Sequence, residues 1–284
     1  MRFQITHVTT YTFDRPVFLE PHTIRLCPRP DPYQRVLDFG IDVKPEPSRL
    51  AAALDPQGNS IHHAWFSGLT PTLTVSTHFD AETLLTNPFD YILTDERFQD
   101  LPLRYPPEID AVIGPYRVSK AAPAGEVSVF AQSIADEAQR RTIPFLTRLN
   151  ERIRETSTVE IREEGDAQPP EQTLATRTGA CRDLTVLFME CCRVMGLGAR
   201  FVSGYHEGDE DSDRHYMHAW AEVYLPGGGW RGFDPTHGLA VADRHVAIAS
   251  GPTPETAFPV SGSFRGTGAA ARMDADVQVK VSGT

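Results

Sequence analysis

Cysteine is scarce in this chain: there are four in 284 residues, and three of them fall in one stretch. Such a set cannot build a disulfide framework in a chain of this length, and it suits a reducing compartment. Basic charge is also short, with 27 Lys+Arg against 38 Asp+Glu and a net charge of -11. That balance argues against nucleic acid or an anionic membrane as a partner. No apolar run approaches the ~20 residues of a spanning helix. The opening MRFQITHVTTYTF lacks the charged and apolar regions of a secretory leader, so the expectation is a cytoplasmic protein with no membrane partner. Internal repeats and low-complexity tracts are missing as well.

What is present divides into two patterns. From residue 1 to about 85, alternating runs such as FQITHVTTYTF, VLDFGIDVKP and LTVSTHF are separated by the turn signals PRPDP, KPEP and DPQGN. They predict an antiparallel, β-sandwich-like domain. Residues 86–124 are Pro-rich and weakly periodic and read as a linker and crossover. From 125 to 284 helical and alternating periods follow one another. Two amphipathic helices are expected over EVSVFAQSIADEAQRR and PFLTRLNERIRETS, and a third follows the turn at Gly179. Alternating runs succeed them, among them ARFVSGYHE, MHAWAEVYL, WRGFD, RHVAIAS and, near the end, DADVQVKVS. The implied fold class is α+β, with a helix packed on an antiparallel sheet.

The chain is organised around TGACRDLTVLFMECCRVM, Thr178 to Met195, in which a Gly turn delivers Cys181 to the first position of an apolar helix. Unpaired N–H groups and the positive end of the macrodipole favour a thiolate there. Cys191 and Cys192 lie deep in the same helix among Leu187, Phe188 and Val194 and read as packing; Cys27, on a strand end, reads as filler. Asp183, in the first turn, reads as a structural carboxylate. Downstream, His218 in YMHAWAEVYLP can take the thiol proton, and Asp234 in GGGWRGFDPTHG can hold the imidazole in one tautomer. Trp220 and Tyr205 are more readily core residues than channel walls.

Four ordered motifs, GACRDL, LGARFVSGY, HAWAEVYLPGGGW and GFDPTHG, resemble the transglutaminase-like superfamily of papain-type cysteine enzymes in its bacterial branch. The resemblance covers roughly residues 130–260, and more loosely the β-rich segment before them. It implies a catalytic set of Cys181, His218 and Asp234 and acyl transfer from a peptide or protein amide, with no cofactor. Hydrolysis is expected over transfer to an amine. The competing expectation is a non-catalytic, peptide-binding descendant of the same fold.

Metal chemistry is the rival reading of Cys181, His206, His215, His218 and His237. Zinc sites favour close Cys or His pairs, whereas His215 and His218 fall on opposite faces of an extended strand, so no metal is expected. The acidic run EGDEDSD, Glu207 to Asp213, lacks EF-hand spacing and reads as a solvated loop rather than a calcium site. The hairpin carrying His218 and Asp234 is more decisive. If Leu225 opposes Gly229, Asp234 lies opposite Trp220, diagonal to His218 at about 7 to 8 Å between backbones, which a histidine and an aspartate can bridge. That register leaves Pro226 to Gly228 as a three-residue loop, or requires a bulge within Gly229 to Gly232.

Overall fold

The computed structural model describes residues 1–162, 165–208 and 215–283. The fold is α+β. Strand Arg2–Leu19 buries alternate side chains, Phe3, Ile5, His7 and Thr9, and sits inside a five-stranded antiparallel sheet. Leu69–Thr83 and then Gln34–Lys44 lie on one side of it; Phe264–Arg265 and Ala271–Ser282 lie on the other. A four-stranded sheet of Val260–Ser261, His22–Ile24, Ser60–Trp65 and Arg49–Leu54 faces it. Phe3, Ile24, Leu26, Leu73 and Phe79 fill the space between, so the expected sandwich-like module is present.

Two boundaries drawn from the sequence need correction. The run DADVQVKVS joins the N-terminal sheet, pairing with Arg2–Leu19 from Arg2 opposite Ser282 onward, so residues 125–284 are not one continuous packing unit. Alternation shows which residues share a face and is silent about which strand they pair with. Nor is 86–124 a loose linker. It contains helix α1 (Pro107–Ile113), and its Phe98, Leu101, Leu103, Tyr105 and Ile113 are buried in the core of the following helices. The prolines obscured that spaced apolar pattern.

Helix α2 (Glu126–Glu137) buries Val127, Ala131, Ile134 and Ala135, and α3 (Thr142–Thr156) buries Phe145, Leu146, Leu149 and Ile153, both at helical spacing. With the short α4 (Pro170–Thr176) they pack around α5 (Cys181–Val194). Helix α5 buries Leu184, Leu187, Phe188, Cys191 and Cys192, and lies on strand His218–Leu225. Each such Leu or Phe contributes about 1.5–3 kcal/mol on burial, so the position of Cys181 is set by packing behind it. Among the described residues, no helix is long and apolar enough to cross a membrane.

The central sheet runs Leu239–Ala240, Gly229–Asp234, His218–Leu225, Ala199–His206, His245–Gly251, all antiparallel. Ala219, Ala221, Val223 and Leu225 face the helical core. Tyr205, Val246 and Ile248 enter the N-terminal core instead. The outer edge of His245–Gly251 is closed by the N-terminal module. The Gln34 amide donates to the Ala247 carbonyl at 2.7 Å and accepts its N–H at 2.9 Å; the Asn59 amide makes the same pair of bonds to Ser250, both at 2.8 Å. Deeper in the same interface the Glu222 carboxylate meets Arg29 from the N-terminal module and Arg200 from the neighbouring strand, with the Arg200 Nε at 2.6 Å.

Candidate active site

The turn into α5 is built around Asp183. Its side chain is fully buried and accepts from the Ala180 N–H at 2.7 Å, the Gln168 N–H at 2.8 Å and Arg162 at 2.6 and 2.7 Å. This carboxylate satisfies donors around the helix N-terminus and complements the macrodipole, which is the structural part expected of it. Gly179 makes the approach possible, since a Cβ there would lie 2.8 Å from the Asp183 Cβ and 3.2 Å from its Oδ2. Gly179→Ala must therefore push Asp183 off the Ala180 N–H, at a cost of about 1–3 kcal/mol. Gly283→Ala, where a Cβ would meet nothing within 4 Å and φ is ordinary, is the control and should be near neutral. Urea denaturation of the two variants side by side measures the difference, and equal midpoints would contradict this account of the turn.

Cys181 is half-buried at the first position of α5. Cys191 and Cys192 are fully buried, and burial pushes both thiols up, as it does the half-buried Cys27. The hairpin has the expected register. Leu225 opposes Gly229 and Ala221 opposes Phe233, with Pro226 to Gly228 as the loop. Gly227 turns at φ +93°, and a Cβ on it would meet the Ile92 carbonyl oxygen at 2.2 Å, so the loop is closed against the segment before α1.

This register brings Asp234 to His218, whose Nε2–H donates to the Asp234 Oδ2 at 2.7 Å. Cys181 acts on the same imidazole, and with Nε2 taken by Asp234 its Nδ1 is the nitrogen left for the thiol. Burial works against the imidazolium, but the Asp234 carboxylate and Cys181 outweigh it and raise the His218 pKa to about 10. All three residues singled out in the sequence therefore meet in one constellation.

Around it are partners that the sequence reading did not assemble. The Asp234 Oδ2 also accepts from the His237 Nδ1 at 2.8 Å and the His245 Nε2 at 3.0 Å, and its Oδ1 accepts from the Thr236 N–H at 2.9 Å. Burial alone would lift this carboxyl; the imidazoles hold it well below the usual carboxylate range. His206 stacks on His237 with ring centroids 4.4 Å apart and meets His245 edge-on at 4.7 Å. Burial, with His245, His237 and His218 beside it, lowers the His206 pKa to about 3. A signal for His237 was available in the tight turn Asp234-Pro-Thr-His237. His245 could be seen only as a polar residue heading the apolar run VAIAS. His215 bridges to Val277 on the C-terminal strand instead of joining the cluster. Residues 209–213 of the acidic run lie outside the described residues. Tyr205 is fully buried, with its OH bonded to the His7 Nδ1 at 2.7 Å, and is core, as is Trp220 at 1% exposure.

Comparison with known proteins follows the same division of the chain. Residues 3–82 match the family model of the bacterial transglutaminase-like N-terminal region, and residues 129–235 match that of the transglutaminase-like superfamily. Uncharacterized proteins of Mycobacterium tuberculosis and Mycobacterium bovis are each 26% identical over 279 residues, covering 88% of this chain and 83% of theirs. A crystal structure of a proposed cysteine protease from Cytophaga hutchinsonii superposes with a TM-score of 0.70 at 19% identity, covering 100% of this chain and 92% of that one. At that identity the likeness speaks for the fold.

Proposed function

The chain belongs to the transglutaminase-like superfamily and carries its bacterial N-terminal region, and from that premise we propose that it performs cysteine-dependent acyl transfer on peptide or protein amides, hydrolysis prevailing over transfer to amines. The observation that carries the reading is the run of contacts from the Cys181 thiol through His218 to Asp234, the last at 2.7 Å.

In the proposed chemistry the Cys181 thiolate attacks the amide carbonyl carbon, and the oxyanion forms beside the Cys181 backbone N–H. His218 gives its proton to the departing amine as the C–N bond breaks, leaving a thioester on Cys181. His218 then takes a proton from water, which attacks the thioester and releases the acid and the thiol. Asp234 keeps the ring in register throughout. Hydrolysis is favoured because water is always present, whereas an amine acceptor needs a tunnel that excludes it. We place the reaction in a reducing, cytoplasmic compartment, where the thiol persists.

The test is to offer Gln-containing peptides with and without a primary amine at millimolar concentration and follow products by mass spectrometry. Deamidation or backbone cleavage exceeding isopeptide formation is expected. An isopeptide excess would overturn the preference for water. Failure of every amide to react, with Cys181 intact, would favour a peptide-binding protein instead.

A further inference from the structure

Thiol chemistry of this kind uses one imidazole, yet the fold brings four to Asp234. Three of them, His218, His237 and His245, donate to a single oxygen, Oδ2, at 2.7, 2.8 and 3.0 Å. A carboxylate oxygen offers about two lone-pair sites. The donors therefore exceed what one acceptor needs, and an orienting carboxylate does not require them.

We propose that this cluster is a binding site for a borderline divalent cation of the zinc type, held by His218 Nε2, His245 Nε2 and Asp234 Oδ2. These atoms lie within 4.8 Å of one another. Tetrahedral zinc with bonds of about 2.0–2.1 Å sets neighbouring ligand atoms roughly 3.3 Å apart, so the two N···O contacts now at 2.7 and 3.0 Å need open only by tenths of an ångström, while the two nitrogens, within 4.8 Å of each other, must draw in to the same spacing. His237 Nδ1, on the same oxygen, is within reach of the fourth position.

The proton on each ligand nitrogen has a place to go. His245 is 5% exposed and its Nδ1 has no hydrogen-bond partner, so the ring can carry its proton there and present Nε2 as a lone pair. On His218, an imidazolium in the metal-free protein, the Nε2 proton is released to solvent as the ion binds and the Nδ1 proton, facing Cys181, stays. The His206 Nε2, buried and without a partner, lies against the same rings and adds a further nitrogen at the wall of the site. Imidazole with one carboxylate is a donor set suited to zinc. An ion here occupies the two groups that Cys181 chemistry needs, so loading and turnover exclude one another; that consequence rests on the proposed function, while the binding itself does not.

Calorimetric titration of metal-free Cys181→Ser protein with zinc chloride reads the binding without substrate and without the thiol. One zinc per chain is expected, with an X-ray absorption shell of nitrogen and oxygen at about 2.0–2.1 Å and none of sulfur near 2.3 Å. His245→Gln should weaken binding at least tenfold, and so should His237→Ala at its half-buried, more tolerant position. In the unsubstituted protein, zinc should suppress amide turnover and a chelator restore it. No uptake at millimolar zinc, a sulfur shell, or affinity indifferent to both substitutions would overturn the site. Zinc bound as described to a protein that turns over no amide would instead count against the proposed function and leave the site standing.

Discussion

Cys181→Ala is expected to remove amide turnover by at least ~10⁴-fold while leaving the fold intact. The thiol is half-buried at the helix mouth, and the apolar side chains that seat α5 lie behind it, so little packing is lost. Asp234→Asn should cost a comparable factor for a different reason, because the amide cannot hold the imidazolium. The two differ in their pH profiles. In the unsubstituted protein the folded His218 pKa, about 10, stands above its ordinary value of 6.5. The imidazolium is therefore complete below 6.5, predominant up to about 10, and lost as pH rises through that value. The alkaline limb of kcat/KM should lie near 10, and in Asp234→Asn it should fall by two or more pH units. NMR titration of the His218 ring across the same range reads that value without a substrate. Retention of even one-hundredth of the activity by Cys181→Ala would sink the nucleophile assignment.

Glu222→Ala is expected to be the most destabilising substitution of a charged residue at the interface between the modules. Glu222 and Arg29 are each 6% exposed, and Arg200 is nearly as buried. Burial would raise the Glu222 carboxyl, but Arg200 and Arg29 outweigh that and lower it to about 2. Removing the carboxylate leaves Asp31, 2.7 Å from the Arg29 guanidinium, as that arginine's remaining acidic partner, while Arg200 keeps its stack on Trp230 and loses its ion-pair partner among the described residues. Breaking a buried pair in this way costs about 3–5 kcal/mol, on the order of 10 °C in Tm. The sign with pH follows from the depressed value: the contribution is full above about 4.5 and disappears as pH falls toward 2. The gap between native protein and variant in urea midpoints should therefore close on acidification. A loss under 1 kcal/mol at neutral pH would mean that water already reaches this pair.

The three-residue turn was legible because glycines at Gly227 to Gly229 and the constant pairing of an antiparallel ladder leave few registers that put His218 near Asp234. Cys181 was legible because a Gly turn before an apolar helix is a local pattern. What stayed hidden was non-local. Arg29 and Glu222 are 193 positions apart, and no periodicity links them. The excess of imidazoles is invisible along the chain because close Cys or His pairs mark a zinc site only where its ligands are neighbours in sequence, whereas these rings come from three strands and a turn. The destination of the last strand escaped for the same reason, since pairing partners are chosen by the open edge available and not by the strand's own pattern.

The amides of Gln34 and Asn59 bond the outer edge of His245–Gly251 as a neighbouring strand would, using two side chains where a ladder would use backbone. An uncovered edge of this kind, carrying Val246 and Ile248, is a template for another chain. A fragment beginning after the N-terminal module would therefore keep its thiol and lose its solubility, pairing edge to edge with copies of itself. The β-module thus shields its companion's edge strand from self-pairing through two side-chain amides.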